Sequence, residues 1–305
     1  MDKDAPLRIG TRGSPLALAQ AEAVKAALAG EGRAGEIVTV STRGDRRRDV
    51  PLAQLGGKGV WTKELERALL DGEIDLAVHS LKDVESVRPD GLLVAATLPR
   101  ADVRERLIGV AGLDALTGGM RVGTSSPRRA AQLLRRVPGL VIEPLRGNVA
   151  TRLKAIKDGA FDATLLAAAG LSRLRHDDVG SALTTEDMLP APGQAAIAIE
   201  ARADDAAVLQ ALAAINHAET FTAVTAERAV SRRLGGSCHS PVAALARRDG
   251  EGWYLRAEIL SLDGADLRSA ERRFAAADAE AAGTAMAEAL LAGAPDSIAR
   301  LFGGA

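Results

Sequence analysis

Cysteine is almost missing from this chain: Cys238 is the only one in 305 residues. A single thiol forms no internal disulfide, and no second cysteine exists for a CxxC zinc or redox motif. The sequence therefore reads as that of a reducing compartment, most simply the cytoplasm. Aromatic residues are equally sparse at 2%, too few to furnish the stacking platform of a nucleic-acid groove. No run approaches the roughly 18 apolar residues of a membrane span. The opening Met1-Asp2-Lys3-Asp4-Ala5-Pro6 also lacks an apolar stretch of signal-peptide length. No HExxH is present, and Gly56-Gly57-Lys58-Gly59 lacks the GxxxxGK[ST] spacing of a nucleotide loop. Neither sign of charge prevails, with 39 basic and 40 acidic side chains. Nucleic acid, membrane and structural metal are thus set aside, and a small-molecule ligand is expected.

What is present is a repeat. Ser14-Pro15 followed by Ala19-Gln20 recurs as Ser126-Pro127 followed by Ala131-Gln132. Arg43-Gly44-Asp45 is echoed by Arg146-Gly147-Asn148, and Asp71-Gly72-Glu73-Ile74-Asp75 by Asp158-Gly159-Ala160-Phe161-Asp162. Three echoes in one order predict two lobes of similar construction facing each other across a cleft, the usual place for a small ligand. The repeated turns carry Arg12, Arg43, Arg128, Arg129, Arg146 and Arg152, so the ligand is expected to be acidic.

Strand-like runs alternate with helical ones, which predicts α/β units with largely parallel sheets. Leu7–Gly10 reads as a strand entering a helix capped by Ser14 with Pro15 at its first position. Ile37–Val40, Ile74–Val78 and Leu92–Ala96 read as further strands, with a helix over Trp61–Leu70 ended by Asp71-Gly72. The second lobe repeats the alternation: strands at Arg121–Gly123, Val141–Ile142 and Ala163–Ala167, helices after Ser126-Pro127 and over Thr151–Lys157. The apolar run Ala195–Ile199 is expected to return to the first lobe. Beyond it the pattern changes to a helix over Glu219–Arg233, three β-like runs (Val242–Ala246, Trp253–Leu262, Asp266–Ala275) and a helix over Ala277–Leu291. Consecutive strands with short turns predict a small antiparallel sheet with helices on one side. The expected division is 1–98 with 195–216, 99–194, and 217–305.

Three places can carry chemistry. Gly123-Thr124-Ser125-Ser126-Pro127-Arg128-Arg129 joins hydroxyls to a helix N-terminus, where free N–H groups and the dipole favour an anion. Adjacent guanidiniums can add bidentate bonds to carboxylates. His79-Ser80-Leu81-Lys82-Asp83-Val84 directly follows a predicted strand, and residues there tend to face a ligand crevice. Asp83 can then stabilise a cation or move a proton, while His79 reads as a hydrogen-bonded structural histidine. Cys238 lies in Gly235-Gly236-Ser237-Cys238-His239, a glycine-rich loop in which a thiolate can be exposed and reactive.

Taken together, these segments resemble the porphobilinogen deaminase (hydroxymethylbilane synthase) family. The matching pieces are Thr11-Arg12-Gly13-Ser14-Pro15-Leu16-Ala17, Thr42-Arg43-Gly44-Asp45, Gly56-Gly57-Lys58-Gly59 and Ala77-Val78-His79-Ser80-Leu81-Lys82-Asp83. They continue with Gly123–Arg129, Leu145–Arg152, Ala169-Gly170-Leu171, Leu189-Pro190-Ala191-Pro192-Gly193-Gln194, Thr225-Ala226-Glu227-Arg228 and Cys238. The resemblance runs through nearly the whole chain in one order.

The resemblance implies two similar α/β lobes of the periplasmic-binding-protein type around a cleft, plus a small α+β third domain. It implies a transferase of tetrapyrrole biosynthesis that condenses four porphobilinogen molecules head to tail, releasing ammonia and, after hydrolysis, hydroxymethylbilane. A dipyrromethane cofactor joined by a thioether to Cys238, catalysis by Asp83, and a monomeric cytoplasmic enzyme are implied with it. The arginines matching Arg12, Arg128, Arg129, Arg146, Arg152 and Arg173 are implied to bind acetate and propionate arms. Ser14, Lys58, Ser80, Lys82, Thr124, Ser125, Ser126 and Gln194 are taken into the same binding set, with no metal.

The chemistry is consistent: loss of ammonia leaves a cationic azafulvene that a buried Asp83 can stabilise, and a thiolate is a good nucleophile for the first such cation. The chain departs from the family pattern at Gln54, Glu85, Val103-Arg104-Glu105 and Ser237. Two rivals are a two-lobed anion-binding protein without activity and a cysteine-dependent acyl transferase with His239 as base.

Overall fold

The computed structural model describes residues 5–41, 62–236 and 240–302. In chain order the first elements are β1 (Leu7–Thr11), α1 (Pro15–Gly30), β2 (Gly35–Thr39), α2 (Lys63–Leu70), β3 (Leu76–Ser80) and β4 (Leu92–Thr97). Next come β5 (Glu105–Ile108), β6 (Arg121–Gly123), α3 (Pro127–Arg136), β7 (Val141–Glu143), α4 (Val149–Lys157), β8 (Ala163–Ala167), α5 (Ala168–Arg173) and β9 (Ser181–Ala182). The remainder is β10 (Ile197–Arg202), α6 (Ala206–Ile215), α7 (Ala218–Arg233), β11 (Val242–Asp249), β12 (Gly252–Leu260), β13 (Leu267–Phe274), α8 (Ala279–Leu291) and α9 (Asp296–Phe302). Among the described residues no helix is long and apolar enough to cross a membrane.

Two compact units emerge, residues 1–101 with 195–221 and residues 102–194 with 222–305. The first holds the sheet β2-β1-β3-β10-β4; the second holds β7-β6-β8-β5-β9 and the separate sheet β11-β12-β13. Both five-stranded sheets follow one plan. Four strands run in one direction, and the strand in fourth place, β10 or β5, runs antiparallel to both its neighbours. The expectation of largely parallel sheets agrees with this, apart from the one reversed strand that makes each sheet mixed. The antiparallel strand comes from outside the repeat, β5 preceding the second copy and β10 following it. The reading of Ala195–Ile199 as a return to the first lobe agrees with β10, which pairs with β3 and β4.

The repeated motifs occupy equivalent places and do equivalent work. Ser14 caps α1 by accepting from Ala17 N–H at 3.3 Å, and Ser126 caps α3 by accepting from Arg129 N–H at 3.4 Å. After α2 and α4, Gly72 and Gly159 take φ of 68° and 71°, the left-handed backbone that ends a helix and suits glycine. Asp75 and Asp162, which close the third echo, each accept a hydrogen bond from the backbone of the first strand. Arg8 N–H donates to Asp75 at 2.8 Å, and Arg121 N–H to Asp162 at 2.6 Å.

β3 begins at Leu76 and runs to Ser80, later at both ends than the apolar run Ile74–Val78 suggests. Its polar end is held in the ladder by β10, with Ala198 opposite His79 and Ile197 opposite Ser80. His79 and Ser80 are thus the last residues of the strand and not the loop beyond it.

The small sheet carries its helices on one face. Ala226 and Val230 of α7 and Ala282 and Met286 of α8 pack on Leu255, Ala257 and Ile259 of β12. Glu227, fully buried, accepts from Gly193 N–H at 2.7 Å and Ala246 N–H at 2.8 Å, tying α7 to β11 and the 190–194 loop.

Gly283 brings α8 against α7: a Cβ there would lie 2.2 Å from the Ala226 carbonyl oxygen and 2.6 Å from Ala229 Cβ. Helix propensity favours alanine over glycine by about 1 kcal/mol, but overpacking against a backbone costs roughly 1–3 kcal/mol. Gly283→Ala is therefore expected to lower stability by about 1–2 kcal/mol in urea unfolding. An unchanged or raised midpoint would show that the two helices can separate freely.

Candidate active site

In the first unit a pocket opens at the carboxyl ends of β1 and β3, the switch point where the strand order reverses. Arg12 and Ser14 enter it from the turn between β1 and α1, Gln20 from α1, and Asp83 from the single 3-10 turn Leu81–Asp83 after β3. Side chains alternate along a strand, so β3 serves both faces. Ser80 exchanges hydrogen bonds with Gln20 at 2.8 and 3.1 Å on the α1 face. His79 points to the opposite face, where its Nε2 lies 3.3 Å from Glu200 Oε2 of β10. Glu200 Oε1 accepts from Arg88 Nε at 2.7 Å, and Arg88 also reaches Glu66 at 2.6 Å. Burial works against the Glu200 carboxylate, but the His79 and Arg88 contacts outweigh it and hold the carboxyl below its ordinary range.

Two expectations change here. Asp83 is exposed, not buried, because the turn projects it past the end of the sheet. His79 is buried as a structural histidine is, but it meets Glu200 at 3.3 Å as an ion-pair contact without hydrogen-bond geometry. Lys82 is half-buried on the same turn.

In the second unit the equivalent edge, at the ends of β6, β7 and β8, carries Thr124–Ser126, Arg146 and Arg173. Ser125 Oγ donates to the Leu145 carbonyl at 3.1 Å, and Thr124 Oγ1 accepts from Ser126 N–H at 3.1 Å, so the two loops brace each other. Arg152 on α4 donates to the Gly147 carbonyl at 3.0 Å. Arg173 ends α5 directly after β8, and burial pulls its guanidinium down to about 10, still cationic at neutral pH.

Arg128 and Arg129 were expected to face a ligand. Both are buried instead, against Glu105 of β5. Arg128 Nη2 donates to Glu105 at 2.5 Å, and Arg129 Nε and Nη2 donate at 3.0 and 2.7 Å. The cause is Glu105 itself, a fully buried carboxylate that needs charge compensation. Burial lowers the Arg128 pKa, with Glu105 opposing. Gln194 is fully buried as well and donates to the Val103 carbonyl at 2.8 Å.

Lys58 and Cys238 lie outside the described residues, as do the segments Thr42–Asp45 and Gly56–Gly59 and the positions Gln54, Ser237 and His239. Sequence reasoning gave no role to Glu200, Arg88, Gln20 or Thr62, and noted Glu105 only as a departure. Their signal was an acidic or polar residue inside an otherwise apolar run, as Glu200 is in Ala195–Ala201.

Comparison with known proteins bears on this geometry. Residues 7–210 match the family model described as porphobilinogen deaminase, dipyromethane cofactor binding domain, and residues 221–292 match the porphobilinogen deaminase C-terminal domain. A porphobilinogen deaminase of Sphingopyxis alaskensis is 53% identical over 98% of this chain and 97% of its own. One from Paracoccus denitrificans is 48% identical over 96% of each chain. Among solved structures, the methionine binding protein MetQ is 15% identical with a TM-score of 0.46, over 72% of this chain and 93% of its own.

Two predictions follow from the buried charges. Glu105→Ala leaves two guanidiniums buried without their anion, and breaking such a group costs about 3–5 kcal/mol. Urea unfolding of that variant should show a loss of this size; a loss near zero would mean the arginines find water instead. Glu200 has a lowered folded pKa, so its contribution is present above the unfolded carboxyl value and is lost as pH falls through the folded one. Glu200→Gln should therefore be less stable than the parent at neutral pH, with the gap closing in acid. A gap independent of pH would contradict the charged network.

Proposed function

Because the chain belongs to the porphobilinogen deaminase family, we propose that it joins four porphobilinogen molecules head to tail, releasing ammonia, and frees the linear hydroxymethylbilane by hydrolysis. The observation that carries this reading is the first unit's pocket, which sets a cation, Arg12, and a carboxylate, Asp83, at one strand edge.

The residues divide the work. Arg12, with Ser14 at the N-terminus of α1, is suited to an acetate or propionate arm of the reacting ring. When the aminomethyl C–N bond breaks, its electron pair leaves on nitrogen and the ring becomes a cation. Asp83 stabilises that cation electrostatically. After carbon–carbon bond formation the ring gives up a proton, and Asp83 is the base proposed to take it. Its exposure in the free protein allows rings to enter, and a bound ring excludes water and strengthens the ion contact.

Cys238 would hold a dipyrromethane through a thioether, and that group would supply the pyrrole carbon to which the first substrate is joined. The donors present suit such a group, which bears two carboxylates on each ring: the Thr124–Ser126 hydroxyls at the start of α3, Arg146, Arg152 and the partly desolvated Arg173. Lys58, Ser80, Lys82 and Gln194 complete the proposed set, Gln194 through its bond to Val103. Arg128 and Arg129, held by Glu105 at 2.5 to 3.0 Å, stand behind this set as fixed positive charge. A division into three domains, 1–98 with 195–216, 99–194 and 217–305, is proposed because each has its own sheet. A monomer acting in the cytoplasm on a small molecule is proposed with it. A carrier without chemistry gives no use to Asp83.

Asp83→Asn keeps the shape and removes the charge, so turnover should fall by roughly 10²–10³, measured as porphobilinogen consumed. Near-normal turnover would remove Asp83 from the mechanism. Cys238→Ala should retain its circular dichroism spectrum and release no ammonia; sustained ammonia release would exclude Cys238 as the attachment point.

A further inference from the structure

The wall of the Asp83 pocket contains two buried polar groups that the steps above leave unused. Thr62, 1% exposed, stands at the start of α2, and its hydroxyl makes no hydrogen bond among the described residues. His79, 6% exposed, brings Nε2 near Glu200 Oε2 without hydrogen-bond geometry, so neither of those atoms has such a partner. Thr62 and His79 line the pocket together with Asp83. Buried polar atoms in folded proteins almost always have partners. Two that do not, in one pocket wall, mark where a ligand's polar group belongs.

The surrounding charges give the sign of that group. Behind the pocket wall Glu66 and Glu200 share one guanidinium, Arg88, at 2.6 and 2.7 Å, and Asp83 is the carboxylate that lines the pocket itself. Carboxylates therefore outnumber cations on the His79 side, and a cation is favoured there. Arg12, Ser14 and the N-terminus of α1 make the opposite face suited to anions. A substrate with carboxylate arms and one ammonium fits this polarity in a single orientation.

Resting on the proposed function, we infer that Thr62 and the His79–Glu200 pair receive the aminomethyl nitrogen of porphobilinogen. They hold the ammonium before the C–N bond breaks and the ammonia after it. No proton moves in that step: the electron pair stays on nitrogen, which leaves as ammonia, and the positive charge passes to the ring facing Asp83. His79 and Thr62 are positioning residues for the leaving group, and Glu200 supplies the charge behind them.

The test compares two ligands that differ only at that nitrogen. One is porphobilinogen; the other is a pyrrole with the same acetate and propionate arms and a methyl group in place of the aminomethyl group, used as a competitive inhibitor. Thr62→Val keeps the shape of the side chain, and His79→Gln keeps a polar group near Glu200. In both variants kcat/KM for porphobilinogen should fall roughly ten- to a hundredfold. The inhibition constant of the methyl analogue should stay within about twofold, and Thr62→Ser should restore the lost rate. Equal losses for both ligands, or no loss for either, would overturn the assignment. Ammonia release by the unmodified protein is measured alongside: its absence overturns the proposed function, whereas its presence with unselective variants overturns this inference alone.

Discussion

In each five-stranded sheet, a carboxylate just before the third strand grips the backbone at the start of the first, and the placement of both sites depends on that grip. Asp75 accepts from Arg8 N–H and, at 3.1 and 2.6 Å, from the Arg8 side chain. Asp162 repeats the backbone bond with Arg121. Asp75 N–H and Asp162 N–H return the bond to the same residues' carbonyls at 2.9 Å. The exchange fixes the parallel register, Ile9 opposite Leu76 and Val122 opposite Ala163. With register fixed at the amino ends, the carboxyl ends come level, and functional side chains gather at one edge of each sheet.

Duplication then supplied one frame for two chemistries. The slot after β3 holds an acid, Asp83, on a short turn, while the slot after β8 holds a base, Arg173, at the end of α5. Their surroundings differ to match. The acid stands in the open beside a pocket that includes Arg12. The guanidinium is partly desolvated, which strengthens its hold on an anion. The pair Arg128–Arg129 marks a different solution, two cations neutralised from within by Glu105. Such an arrangement is costly to break and pre-positions the guanidiniums.

Local chemistry was legible in the sequence. Ser-Pro caps, Asp-Gly stops and the order of echoes located α1, α3, β1, β6 and the repeat, because each depends on residues within one or two turns. Long-range pairing was not legible. β5 starts with Glu105-Arg106, which reads as surface until its burial against Arg128 and Arg129 is seen. β10 carries Glu200 in an apolar run, and the meaning of that glutamate lies more than a hundred residues away at Arg88 and His79. The exposure of Asp83 escaped notice because strand β3 ends later than its apolar residues do, held by pairing that only the fold supplies. Candidate residues were therefore found by type, while their partners, and for Arg128, Arg129 and Gln194 their burial, came from the structure.

The central claim is that this chain builds its product on a primer it carries covalently. The intact mass of the purified protein, before and after a short pulse of porphobilinogen, addresses it directly. The account predicts a starting mass above that of the polypeptide by two linked pyrrole units, stable to hydroxylamine, and further species rising in steps of one ring. A mass equal to that of the polypeptide alone, or an adduct that hydroxylamine removes as an acyl group, would contradict it.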